Sequence, residues 1–140
     1  MNKLRNLIQV AGIIAVCSAP MFAQSSVNLV ASVPFAFNVG ARSLPAGDYR
    51  IYGQADSPHL IVQTADGTDG VILLTTTARR FNPPKQSKLV FRVYGQRSYL
   101  AGVWTAGIDS VRETLKTAAE KESERAGIPM QVAVLPLRAQ

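Results

Sequence analysis

The chain has 140 residues, with 15 Lys and Arg against 9 Asp and Glu, one Cys, one His and 47% apolar residues. That is the size of one small domain, too short for two with sizeable cores. One Cys excludes an internal disulfide framework and a Cys-rich zinc site, and one His excludes a His cluster as a metal ligand set.

Lys3 and Arg5 precede a mostly apolar run over residues 7–19 that includes Leu7, Ile8, Val10, Ile13, Ile14 and Val16. A basic start and a short apolar core predict a secretory signal peptide over residues 1–23, with Pro20 ending its helix and cleavage after Ala23. The run is shorter than the roughly 20 apolar residues a membrane anchor needs. Cys17 raises lipidation as a rival, but Val16 stands where a lipid-attachment motif carries Gly, Ala or Ser. The sequence therefore predicts an exported chain, whether periplasmic, at the outer surface or secreted. Its mature form, residues 24–140, would be one β-rich domain with no cysteine and no transmembrane span.

From residue 27 to 39 every odd position is apolar: Val27, Leu29, Ala31, Val33, Phe35, Phe37 and Val39. Period two predicts a long half-buried strand, bent or broken at Pro34, which cannot donate to a ladder. Leu44-Pro45-Ala46-Gly47 has the chemistry of a type I turn, and a strand resumes over residues 48–52. Residues 60–64 and 71–76 flank two Asp-Gly pairs and read as a hairpin. Residues 79–87 form a loop around Pro83-Pro84. A second hairpin pairs residues 88–94 with 99–105.

Strands thus dominate residues 27–106, which predicts a mainly β fold: a small antiparallel sandwich or flattened barrel of about six to eight strands. After Gly107 the period lengthens. Ser110 and Glu113 suggest a capping box, and Val111, Leu115, Ala118 and Ala119 recur at helical spacing up to Gly127. These predict one C-terminal α-helix over residues 110–126, lying on the β-body by a narrow apolar stripe. Residues 127–140 form a tail in which 131–135 is a possible short strand returning to a sheet edge.

Four motifs occur in order: Val33-Pro34-Phe35-Ala36-Phe37-Asn38-Val39-Gly40, Leu44-Pro45-Ala46-Gly47-Asp48-Tyr49, Leu89-Val90-Phe91 with Tyr94-Gly95, and Tyr99 with Val103-Trp104. Over residues 27–107 the chain resembles a group of small exported bacterial β-rich proteins that share this order. The resemblance implies an exported β-domain and supplies no catalytic residue. The segment after Gly107 is longer and more charged than the group suggests.

Candidate chemistry is sparse. His59 is the lone imidazole, and no Gly-x-Ser-x-Gly elbow accompanies it. Asp56, Asp66 and Asp69 could gather around a hard cation, but they match no complete loop motif, and Gly neighbours make Asp66 and Asp69 turn formers. Asp48 and Asp109 are the carboxylates a glycosidase reading would need to bring together. No catalytic set, cofactor site or metal site is predicted.

The charge layout says more. Residues 24–69 sum to −2, residues 109–140 hold five charges of each sign, and residues 70–108 carry six cations without an acid. Those six, Arg79, Arg80, Lys85, Lys88, Arg92 and Arg97, with Phe81, Tyr94 and Tyr99 nearby, are the candidate contacts for an anionic polysaccharide or lipid surface. Export makes nucleic acid an unnatural partner, and a plain solvated sheet edge is the competing explanation. The sequence thus favours a non-enzymatic binding or structural module of the cell envelope. A second reading is a small-ligand carrier whose cavity Phe35, Phe37, Tyr49, Phe91 and Trp104 would line. A hydrolase using Asp48 and His59 is the third.

Overall fold

The structure, a computed structural model, describes residues 26–54 and 57–140. The predicted signal peptide, Cys17 and Asp56 lie outside the described residues. Strand β1 (Ser26–Val33) buries Val27, Leu29, Ala31 and Val33 on one face. It runs antiparallel to β4 (Gly47–Gln54), with Ala31 opposite Tyr49 and Leu29 opposite Ile51. The predicted thirteen-residue run is broken at Pro34 into two strands, one of the two outcomes expected there. Pro34 lacks the N–H that would continue the ladder, and residues 34–36 carry the chain across to β2 (Phe37–Val39). There it turns through Gly40, at φ 58°, into β3 (Arg42–Leu44).

β5 (His59–Thr64) and β6 (Gly70–Arg79) make the first predicted hairpin, with Gly67 alone of its two glycines at positive φ. β7 (Lys88–Tyr94) and β8 (Arg97–Trp104) make the second, closed by Gly95-Gln96. β6 changes partner along its length: residues 70–74 pair with β5, and residues 75–79 pair with β9 (Ser110–Thr114). At the other side, β10 (Met130–Pro136) pairs with β7, while β11 (Arg138–Ala139) pairs with β1. Leu137 is buried at the bend between them, and its N–H donates to Ser87 O at 2.9 Å. The hydrogen-bonded path nevertheless stays open, in the order β10-β7-β8-β9-β6-β5-β4-β1-β11.

The fold class is as the sequence predicts, mainly β with one helix near the C-terminus, and the open sheet is not a closed barrel. The eleven strands among the described residues exceed the six to eight expected. Three of them, β2, β3 and β11, are two or three residues long and too short to show a period. The two halves of the sheet meet over one core, where Phe37 packs edge-to-face on Tyr49 at 5.1 Å and on Phe91 at 5.5 Å. The Tyr49 hydroxyl donates to Pro45 O and closes the Leu44–Gly47 turn.

The helix differs from its prediction. Residues 110–114 are strand β9, because they fill the gap between β6 and β8 and satisfy the ladder groups of both. Helix α1 covers only Ala118–Arg125, and its capping box is Thr117 with Glu120, not Ser110 with Glu113. It ends as expected at Gly127, with φ 73° and Ile128 N donating to Ser123 O. Polar groups hold it in place: Glu120 and Ser123 are its buried residues, and Ala118 and Ala119 are exposed. The predicted strand in the tail is present as β10.

Candidate anion-contact site

β7 and β8 carry Lys88, Arg92 and Arg97 along a hairpin, and the end of β6 and the loop after it carry Arg79, Arg80 and Lys85. Lys88 starts β7 opposite Trp104, and Arg97 starts β8 opposite Tyr94. At about 3.4 Å per residue, six steps put these ends roughly 20 Å apart. Arg79, Arg80, Lys85 and Lys88 gather at the first end, where β6 stops and the loop of residues 80–87 begins. Arg97 stands alone at the second, in a shallow cleft of about 620 Å³ between the β2–β3 turn and the start of α1.

Trp104 organises the first end. Lys88 Nζ lies 4.3 Å from its ring centroid and Arg80 Cζ 5.1 Å, so one indole positions two cations by attraction to its ring quadrupole. They are therefore held less than about 10 Å apart, within a Debye length of each other at moderate salt. Arg80 also pairs with Glu113 at 3.1 Å, and its N–H donates to Asp109 O at 2.6 Å. The loop is fixed further along. Gly107 N donates to Pro84 O at 3.0 Å, and Ala106 N to Ser87 Oγ at 2.9 Å. Lys85 and Phe81 are exposed on this anchored loop, Phe81 fully so, and Arg79 is exposed at the end of β6.

Arg92 is not available as a surface cation. Its Nε lies 2.6 Å from Glu120 Oε1, and the two side chains are only 14% and 1% exposed. Tyr94 and Tyr99 also leave the candidate surface, since both are buried and stack edge-to-face at 5.9 Å. Tyr94 donates to Glu124 Oε1 at 3.0 Å. Burial, and then that carboxylate, push its hydroxyl up to about 12. Glu124 in turn is held below the usual carboxylate range by Lys116 and then by Tyr94.

The other candidates separate. His59 is exposed, with Nδ1 3.2 Å from Ser57 Oγ. Asp66 accepts from Thr68 N at 3.1 Å and is held down to about 2, by the Thr64 side chain first and then by Thr68. Asp69 accepts from Gly70 N at 2.8 Å and pairs with Arg42 at 2.9 Å. Both perform turn chemistry. Asp48 accepts from Ser32 Oγ, and the side chain of Asp109 is exposed. Among the described residues no group of three or more His, Cys, Asp or Glu is placed to hold a metal ion, and no helix is long and apolar enough to cross a membrane. Four of the five aromatics proposed for a carrier cavity, Phe35, Phe37, Tyr49 and Phe91, pack on one another instead.

Two residues escape sequence reading. Trp104 belongs to the cationic site because β7 and β8 set it opposite Lys88, a register that no local pattern encodes. Arg112 looks like one face of a helix, but on β9 it is buried and reaches the β4–β5 turn, donating to Ser57 O at 3.0 Å, His59 O at 3.2 Å and Gln54 O. Compared with known protein families, curated proteins and solved structures, the chain has no match in any of the three.

Proposed function

We propose that the chain is exported, that its signal peptide is cut after Ala23, and that the mature domain is a non-enzymatic binding module. It contacts an anionic cell-envelope surface, glycan or lipid, through one end of its sheet. The observation that carries this reading is the convergence of Arg80 and Lys88 on Trp104, flanked by exposed Arg79 and Lys85. Glu113 pairs with Arg80, and Asp109 follows the loop on the same side through its backbone carbonyl, so even with both acids counted against the four cations a positive excess remains. Long-range attraction from such a patch needs no deep pocket and suits an extended polyanion.

The test has two parts. Intact mass after expression with the native N-terminus reads the cleavage, and retention on polygalacturonate or on anionic vesicles reads the contact. Changing Arg79, Arg80, Lys85 and Lys88 together to Glu removes retention on both supports if the reading holds. Undiminished retention would dismiss it.

A further inference from the structure

The same end carries a feature that electrostatics alone does not explain. Phe81 is fully exposed at the start of the loop of residues 80–87, between Arg80 and Lys85 in sequence. A large apolar side chain standing free in water buries nothing and adds nothing to the fold. The loop that presents it is pinned at Arg80, Pro84 and Ser87 by the backbone and side-chain hydrogen bonds given above. Its direction is therefore set by the fold.

We infer that Phe81 is a membrane-interface anchor. The domain docks on an anionic lipid surface, with the Phe81 ring entering the headgroup and acyl boundary and Arg79, Arg80, Lys85 and Lys88 lying against lipid phosphates. Rings at the membrane interface and cations over anionic headgroups are the two complementary contributions to peripheral binding. A polysaccharide chain would use the cations and can stack a sugar face on the ring, which bead retention of Phe81→Ser reads, whereas a lipid surface offers phosphates together with an apolar phase that takes up the whole ring. This charge and apolar complementarity is the ground on which lipid is preferred to glycan. The inference rests on the proposed anionic-surface reading and narrows it to one partner.

The test uses the processed chain recovered after export, with its mass verified. Retention is measured on vesicles of phosphatidylglycerol with phosphatidylcholine, on phosphatidylcholine alone, and on polygalacturonate beads. Phe81→Ser should lower retention on anionic vesicles about five- to tenfold, the scale of losing one partly inserted ring. It should leave bead retention and the thermal midpoint unchanged. In Phe81→Trp, added anionic vesicles should blue-shift the emission beyond any shift seen in the native chain, and brominated lipid should quench it. Unchanged vesicle retention in Phe81→Ser, with no added shift in Phe81→Trp, would overturn the anchor while the four-Glu variant still loses binding. If the four-Glu variant keeps its retention, the anionic-surface reading itself fails.

Discussion

Glu120 serves the helix and the sheet with one carboxylate: Oε2 accepts the Thr117 N–H at 3.0 Å in the capping box, and both oxygens accept from the Arg92 guanidinium. A short helix of eight residues is marginal by itself. Its position over β7 therefore depends on this buried pair and on the Tyr94 to Glu124 hydrogen bond. The consequence for function is a loss of charge. Arg92 is taken out of the cationic surface by an acid that lies 28 residues later in the chain.

Removing one partner of such a pair leaves the other charge buried. Glu120→Ala should destabilise the domain by about 3 to 5 kcal/mol. Glu120→Leu combined with Arg92→Met should recover much of that loss. Urea denaturation of the single and double variants provides the cycle, and additive losses would show that the two groups are not coupled.

Tyr94 makes the domain sensitive to alkali. Its hydroxyl ionises near 12 in the folded state, above the ordinary value of 10.0. Between those values the unfolded chain has released the proton and the folded chain has kept it. Stability is thus present in full below the ordinary value and falls as pH rises toward the folded one. The urea midpoint should drop between about pH 10 and pH 12, and Tyr94→Phe should flatten that drop.

Arg112 spans the two halves of the sheet at the β4–β5 turn, where one guanidinium donates to three carbonyls. An ammonium is a point charge and cannot reproduce that fork. Arg112→Lys should cost about 1 to 3 kcal/mol. Amide exchange should show the added opening first around residues 57–60.

Gly53 is fixed by close approach. A Cβ there would lie 2.8 Å from His59 O and 3.4 Å from Arg112 Nη1. Gly53→Ala should therefore displace the turn and destabilise by about 1 to 3 kcal/mol, measured as a lower thermal midpoint. Gly40→Ala meets nothing within 4 Å, and its cost comes from φ 58° alone.

Much of this fold is legible in the sequence because alternation is a local property. Val27 to Val33, Tyr49 with Ile51, and Leu89 with Phe91 all lie on the core face that period two assigns them. The helix is misread because Val111 and Leu115 satisfy a helical spacing by chance of position. Only the gap between β6 and β8, a long-range fact, makes residues 110–114 a strand. The cationic site is half legible. A linear count finds the six cations but cannot see that Glu113 and Glu120 fold back onto two of them. Nor can it see that Trp104 gathers Arg80 with Lys88.

The central claim is that the Trp104 end of the sheet is the contact surface. Retention of residues 24–140 on anionic vesicles across a salt series tests it most directly, comparing the native sequence with the Arg79→Glu, Arg80→Glu, Lys85→Glu, Lys88→Glu variant. The native chain should bind at low salt and release progressively as the Debye length shrinks to about 10 Å at 0.1 M and below. At about fivefold per cation near an anionic surface, the variant should bind at least about a hundredfold more weakly. Equal retention of the two proteins, unaffected by salt, would contradict the account.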